Sequence, residues 1–246
     1  MRILFVGEDP TPGSGTYLLA ILKALRATTV HVPSGVRLQE RLLARHFETM
    51  LFSDYQRAHL SRQVERVIAE QVADGAGLLM VGGWSSFSGP FGRWRGSRIE
   101  ELLPVRCRNR DDRMNFPGGA FLLRAGAHPI VAGLDFSRPP VVCGLNDIQP
   151  KPRSRTLLSA RRIRWQRHGR LSLEPKAYPL LVINAEPDMR AAALATDAAP
   201  HWCGGLVDWG SKRMTLKVTV QARVEVGDQY VRFISQLIRW LARQER

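Results

Sequence analysis

The sequence predicts an α/β fold: a mainly parallel sheet with helices on both faces and a β-rich insertion. Three observations point there. Short unbroken apolar runs alternate with amphipathic helical stripes through the first 80 residues, the pattern of strands buried on both faces by crossover helices. The run Leu78–Val81 ends in Gly82-Gly83, and ligands in open α/β sheets sit just outside such carboxyl ends. The chain has 246 residues and 44% apolar content, enough for one large core, so residues 1–246 are read as a single domain.

The elements follow in order. Ile3–Val6 is a first strand, and the loop EDPTPGSG leads to a helix from about Thr16 to Arg26. That loop carries Gly7, Gly13 and Gly15 but matches neither the dinucleotide fingerprint nor the P-loop, so no nucleotide is inferred. Thr29–Val32 is a second strand, RLQERLLARHF a short helix, and Met50–Phe52 part of a third strand. From Ser61, the stripe Val64, Val67, Ile68 and Val72 marks a helix stopped by glycine before the Leu78–Val81 strand. Glu100 and Glu101 belong to a short helix before Leu102-Leu103-Pro104.

Arg106–Gly126 reads as loops around a short strand or helix, because FPGGA interrupts it. Arg155–Leu173 has β-like patches that His168-Gly169 turns into a hairpin, and Tyr178–Asn184 is a buried strand. Ala191–Ala195 is a final strand leading into TDAAPHW. Asp228 is placed to cap a helix from Gln229 to Ala242 with the broad stripe Val231, Phe233, Ile234, Leu237, Ile238 and Leu241.

The formal charge is +14 and the isoelectric point about 10.9. Between Lys151 and Arg170, eight of twenty residues are Lys or Arg, with Trp165 and His168 interleaved. Such a strip can hold phosphates and stack a base, which points to nucleic acid or an acidic partner; a solvated basic hairpin is the plainer reading. Four apolar residues after Met1-Arg2 are too few for a signal peptide or a membrane span, so a cytoplasmic protein with no membrane association is expected. Cys107, Cys143 and Cys203 are odd in number and widely spaced, so they read as buried free thiols rather than disulfides or a zinc site. The aspartates and histidines show no compact ligand spacing, and neither a metal nor a cofactor is expected.

Four segments in order, DGAGLLMVGGWSSF with RGSRIEELLPV, HPIVAGLDF, PLLVINA with AALATDAAPHW, and VGDQYVRFISQLIRWLA, resemble the class I glutamine amidotransferase-like superfamily. They look most like its uncharacterised branch related to trehalose-utilisation-type proteins. The resemblance spans nearly the whole chain and implies a flavodoxin-like core. It also implies a mechanism in which an elbow cysteine attacks the glutamine amide, helped by a histidine, a glutamate two residues beyond it, and backbone N–H groups for the oxyanion. Here Gly82–Ser86 offers serine, and His201 is followed by Trp202-Cys203 without that glutamate. His201 alone carries over, so standard glutaminase activity is not expected.

The remaining residues suggest what could replace it. Ser85 or Ser86 with His201, oriented by Asp197 or Asp208, would form a serine hydrolase-like set, although serines beside a glycine turn are commonly turn residues. Cys203 lies two residues from His201, where side chains generally diverge. His201 could equally end a strand and pack over the sheet. Gly82, Gly83, Trp84, Phe87, Arg93 and Trp202 are candidate ligand-binding residues, Phe91 and Trp94 extend the aromatic wall, and Arg95 and Arg98 favour an anion if they turn inward. Glu101 is a minor candidate for general base. The site is expected between Gly82–Phe87 and Asp197–Trp202, under the Trp84–Arg98 loop, with a small unidentified molecule as ligand.

Overall fold

The computed structural model describes residues 1–9, 13–166, 169–186 and 188–245. One nine-stranded sheet organises it. β1 (Arg2–Gly7), β2 (Thr28–Val32), β3 (Thr49–Ser53), β4 (Gly77–Val81) and β11 (Ala191–Leu194) run parallel in the order β2-β1-β3-β4-β11. Every residue of β3, β4 and β11 is buried, as continuous apolar runs between two covering layers require. Antiparallel strands then widen the sheet: β10 (Leu171–Asn184), β9 (Ser154–Trp165), β6 (Arg113–Arg124) and β7 (Val141–Asn146), while β5 (Val105–Arg106) and β8 (Gln149–Pro150) pair separately.

Crossover handedness places the helices. α1 (Thr16–Ala24) carries the chain from β1 outward to β2, while α2 (Arg62–Ala73) carries it from β3 in the opposite direction to β4. Right-handed connections running in opposite directions put these helices on opposite faces. α1 packs with α5 (Asp228–Leu241), and α2 with α3 (Arg98–Leu102), so the two groups cover the sheet from either side. Ser61 Oγ accepts from Val64 N at 3.1 Å and starts α2, whose Val64, Ile68 and Val72 are buried. α5 buries Tyr230, Phe233, Ile234, Leu237 and Ile238, and its end crosses the start of β4 so closely that a Cβ on Gly77 would lie 2.4 Å from Leu241 O.

Several expectations need correction. The short helix expected in RLQERLLARHF is a five-residue 3₁₀ helix, Glu40–Ala44, and Gln71 on α2 donates to the carbonyls of Leu43 and Arg45 at 2.9 and 3.0 Å. The segment read as loops contains the 12-residue β6: Pro117-Gly118-Gly119 is absorbed by a register shift between Asn115 and Ala120, with Gly119 at φ +76°. β11 is not the last strand, since β12 (Arg213–Lys217) and β13 (Arg223–Gly227) form a later hairpin; only Leu216 of β12 is buried, which leaves almost no hydrophobic pattern to read. Asp228 begins α5 but does not cap it; Gly227 occupies the cap position, and Asp228 Oδ1 accepts from Lys212 N at 3.1 Å. Cys143 is exposed on β7, the sheet's edge strand, whereas Cys107 and Cys203 are buried. β9 and β10 form the expected hairpin; His168 of its expected turn lies outside the described residues. No helix among the described residues is long and apolar enough to cross a membrane.

Candidate functional site

The strand order reverses between β1 and β3, where the chain leaves β1 for β2 on one side and resumes in β3 on the other. A crevice at the carboxyl ends of such a pair is the favoured ligand site of open α/β sheets. The first residue beyond each strand is acidic: Glu8 after β1 and Asp54 after β3. Both take left-handed backbone angles, φ +52° and +46°, a conformation that costs a non-glycine residue roughly 1 kcal/mol. The approach is tight, since a Cβ on Gly7 would fall 1.7 Å from Ser53 O.

Glu8 is buried. Ser14 Oγ donates to its Oε2, and Ser53 Oγ to its Oε1 at 3.0 Å. Burial raises its pKa, with the Asp54 and Asp197 charges adding to the rise and the two serines opposing it. Asp54 is raised by burial and by Asp197, while backbone N–H groups of Ser85 and Trp84 and the charge of His201 pull it down. Glu8, Asp54, Asp197 and His201 therefore interact as one electrostatic cluster.

The glycine turn after β4 is held by backbone and side-chain partners on every side. Gly82 N donates to Leu194 O at 2.7 Å and Thr196 O at 3.0 Å. Gly83 N donates to Asn146 Oδ1 at 2.9 Å, and Ser85 N to Asp54 Oδ1 at 2.5 Å. Asn146 also donates to Gly83 O at 3.2 Å and to Asp112 Oδ1 at 2.7 Å, while Asp112 Oδ2 accepts from Ser88 N at 2.9 Å. Thus the N–H of Ser85 beside the glycine turn is already bonded to a carboxylate of the protein itself.

On the neighbouring strand end, Asp197 is buried at 1% side-chain exposure and His201 is 61% exposed, with Nε2 2.8 Å from Asp197 Oδ2. Asp197 Oδ1 accepts from Ala199 N at 3.2 Å and Cys203 N at 2.9 Å, fixing the short α4 (Pro200–Cys203) that presents the imidazole. The Asp197 carboxylate is first among the causes that raise the His201 pKa, partial burial opposes it, and Glu8 and Asp54 reinforce it. Asp197 itself is raised, because burial outweighs its partner.

This pair has a testable titration. A raised histidine pKa means the pair's stabilisation is complete below the ordinary value near 6.5 and is lost as pH rises through the folded value. We expect the His201 resonance to titrate above 6.5 in the wild type and at lower pH in Asp197→Asn, followed by NMR; an unchanged titration would mean that Asp197 does not hold the charge.

The other sequence candidates scatter. Ser85 is buried with its N–H bonded to Asp54, and Ser86 Oγ donates to Val81 O at 2.5 Å and accepts from Asp54 N at 3.1 Å. Among the described residues neither serine hydrogen-bonds His201. Phe87 is fully buried and offers no wall to a ligand, contrary to expectation, because the loop folds it into the core. Trp202 is buried likewise: its Nε1 donates to Asn115 Oδ1 at 2.9 Å and its ring lies on Gly144, where a Cβ would come within 2.6 Å. Trp94 is buried, with Nε1 donating to Tyr55 O and Ser85 O. Trp84 is 46% exposed under the Arg113 guanidinium at 4.1 Å, and Phe91, Arg93, Arg95 and Arg98 are exposed. Asp208 pairs with Arg213 instead of orienting His201. The Cys203 thiol is pushed well above its ordinary pKa by burial, away from the thiolate form a nucleophile needs. Glu8, Asp54, Asp112 and Asn146 are absent from the sequence candidates. The available signal for Glu8 and Asp54 is the first acidic residue after each apolar run, in FVGE and LFSD.

A family model described as "Putative glutamine amidotransferase" matches residues 47–222. No curated protein matches the chain. Solved structures with similar folds include a cytoplasmic protein from Salmonella typhimurium LT2, 22% identical, covering 100% of both chains at a TM-score of 0.71. A second cytoplasmic protein from Salmonella typhimurium is 20% identical, with 97% of this chain and 98% of that one covered at 0.69. A protein described as thua-like from Bacteroides uniformis is 13% identical, with 98% and 91% covered at 0.51.

Proposed function

The chain belongs to the family described as "Putative glutamine amidotransferase", and from that premise we propose that it is a member that binds a small molecule at the strand ends without the family's glutaminase step. The observation carrying this reading is the Asp54 carboxylate on Ser85 N at 2.5 Å. A developing oxyanion would have to displace a half-buried, hydrogen-bonded carboxylate from the donor that should stabilise it. Sequence supports the same conclusion: VGGWSSF has no cysteine, and no glutamate stands two residues after His201. The buried Cys203 thiol does not supply the missing nucleophile.

The ligand chemistry follows from the cluster. Glu8, Asp54 and Asp197 are acceptors when ionised, and His201 is exposed and able to exchange a proton, so hydroxyl or amine groups fit better than anions. Ser85 and Ser86 serve to shape the turn. The two Salmonella relatives are described as cytoplasmic, and the same compartment is proposed for this chain. Nucleic acid along residues 151–170 is the second reading, favoured by Trp165 at 68% exposure. Its charge is partly spent, however, since Arg162 and Arg164 both approach Glu174 Oε1, at 3.6 and 3.2 Å. The glutaminase reading is tested by glutamate formation from glutamine, with none above the uncatalysed rate expected.

A further inference from the structure

Two adjoining cavities flank α3, away from the carboxylate cluster. One, of about 460 Å³, is lined by Arg57, Arg62, Arg66 and Arg98. The other, of about 480 Å³, is lined by Arg95, Arg106 and Lys151. Gly96 and Glu101 border both, so the two form one groove along the helix.

Seven cationic side chains face three acidic ones in this groove, and two of those acids are already committed. Glu65 is buried, pairs with Arg57 at 2.8 Å and accepts from Arg98 N at 3.2 Å. Glu100 is drawn onto the backbone N–H groups of Gly96 and Cys107 at 2.5 and 2.6 Å. Arg66 lies 3.6 Å from Glu70, an exposed pair of little strength. Lys151 Nζ donates to Glu100 O and Glu101 O at 2.7 and 2.9 Å, which fixes its position and leaves one further proton. Arg62, Arg95, Arg98 and Arg106 have no side-chain ion pair among the described residues. Four guanidinium groups without ion pairs around a concavity, beside Arg57 held by the buried Glu65, are suited to bidentate capture of phosphate oxygens.

We propose that the α3 groove binds a small polyphosphorylated anion. Each half has the volume of an ordinary small-molecule site, and no aromatic side chain lines either half to stack a nucleobase, which disfavours single-stranded nucleic acid as the occupant. Glu101 is the one uncommitted acid and opposes such a ligand.

The probe is inorganic tripolyphosphate, titrated calorimetrically into the full chain at about 0.15 M salt, where diffuse surface attraction is largely screened. The expected result is saturable binding that weakens at least about tenfold in the Arg62→Glu/Arg98→Glu double variant, through loss of charge-assisted hydrogen bonds. The Arg161→Glu/Arg164→Glu variant makes the same change in net charge on the hairpin and should alter affinity less than about twofold. Glu101→Gln should tighten binding. In wild type, tripolyphosphate should protect amides of residues 95–101 from hydrogen exchange, a readout independent of the variants' folding. Absence of saturable binding, equal loss in both double variants, weaker binding in Glu101→Gln, or no protection at residues 95–101 would each overturn the proposal.

Discussion

Asn146→Leu should destabilise the protein by at least about 3 kcal/mol, the sum expected when several buried hydrogen-bonding groups lose a shared partner. The side chain is fully buried at the end of β7 and serves three groups at once. Its Oδ1 accepts from Gly83 N, and its Nδ2 donates to Gly83 O and Asp112 Oδ1. Leucine fills much of the same space but leaves Gly83 N and one oxygen of Asp112 without the partner they have here, and Gly83 O with only the long bond from Ser86 N at 3.4 Å. Asp112 already suffers from burial, which raises its pKa to about 6. For an acid with a raised folded pKa, the native state binds protons more tightly, so its contribution to stability declines as pH climbs from about 4 to about 6. Removing the Nδ2 donor removes a cause that lowers that pKa, so the variant's decline should extend to higher pH. Urea unfolding across about pH 4 to 8 measures both effects. A loss under about 1 kcal/mol would show that the turn does not depend on this hub.

Asp54→Ala should have the second large effect, and a more specific one. The substitution strips Ser85 N of its acceptor and leaves the turn's donors unpaired, at a cost of about 2 kcal/mol. Part of that cost is offset, because Asp54 also repels Glu8 and Asp197 across the cluster. The vacated donors form an open anion nest. Acetate should therefore restore the thermal midpoint of Asp54→Ala in a saturable manner, with stabilisation growing as the logarithm of its concentration, while leaving the wild type unchanged. Equal effects of acetate on both proteins would mean a general salt response and would remove Asp54 from the nest.

The parallel half of the fold was legible because its strands are buried on both faces and read as short apolar runs, as in ILFV, MLF and LLMV. β6 was hidden by Pro117-Gly118-Gly119, whose turn chemistry is local and whose accommodation as a bulge depends on partner strands distant in sequence. β12 was hidden because four of its five residues are exposed. At the site, His201 and Asp197 could be found four residues apart on one turn, where spacing alone predicts proximity. Glu8 and Asp54 lie 46 positions apart and meet only through the parallel pairing of β1 with β3. Their neighbours in sequence suggest Phe87 and Trp202 as pocket walls, but aromatic side chains beside a glycine turn bury themselves wherever the core has room, and here it does.

Whether this family member performs the glutaminase step is read from glutamate formation when the wild-type chain is incubated with glutamine. No glutamate above the rate without protein is expected, because the elbow lacks a thiolate and Asp54 occupies Ser85 N. Sustained glutamate formation that disappears in Cys203→Ser or Ser85→Ala would contradict it and would place a working nucleophile at this site.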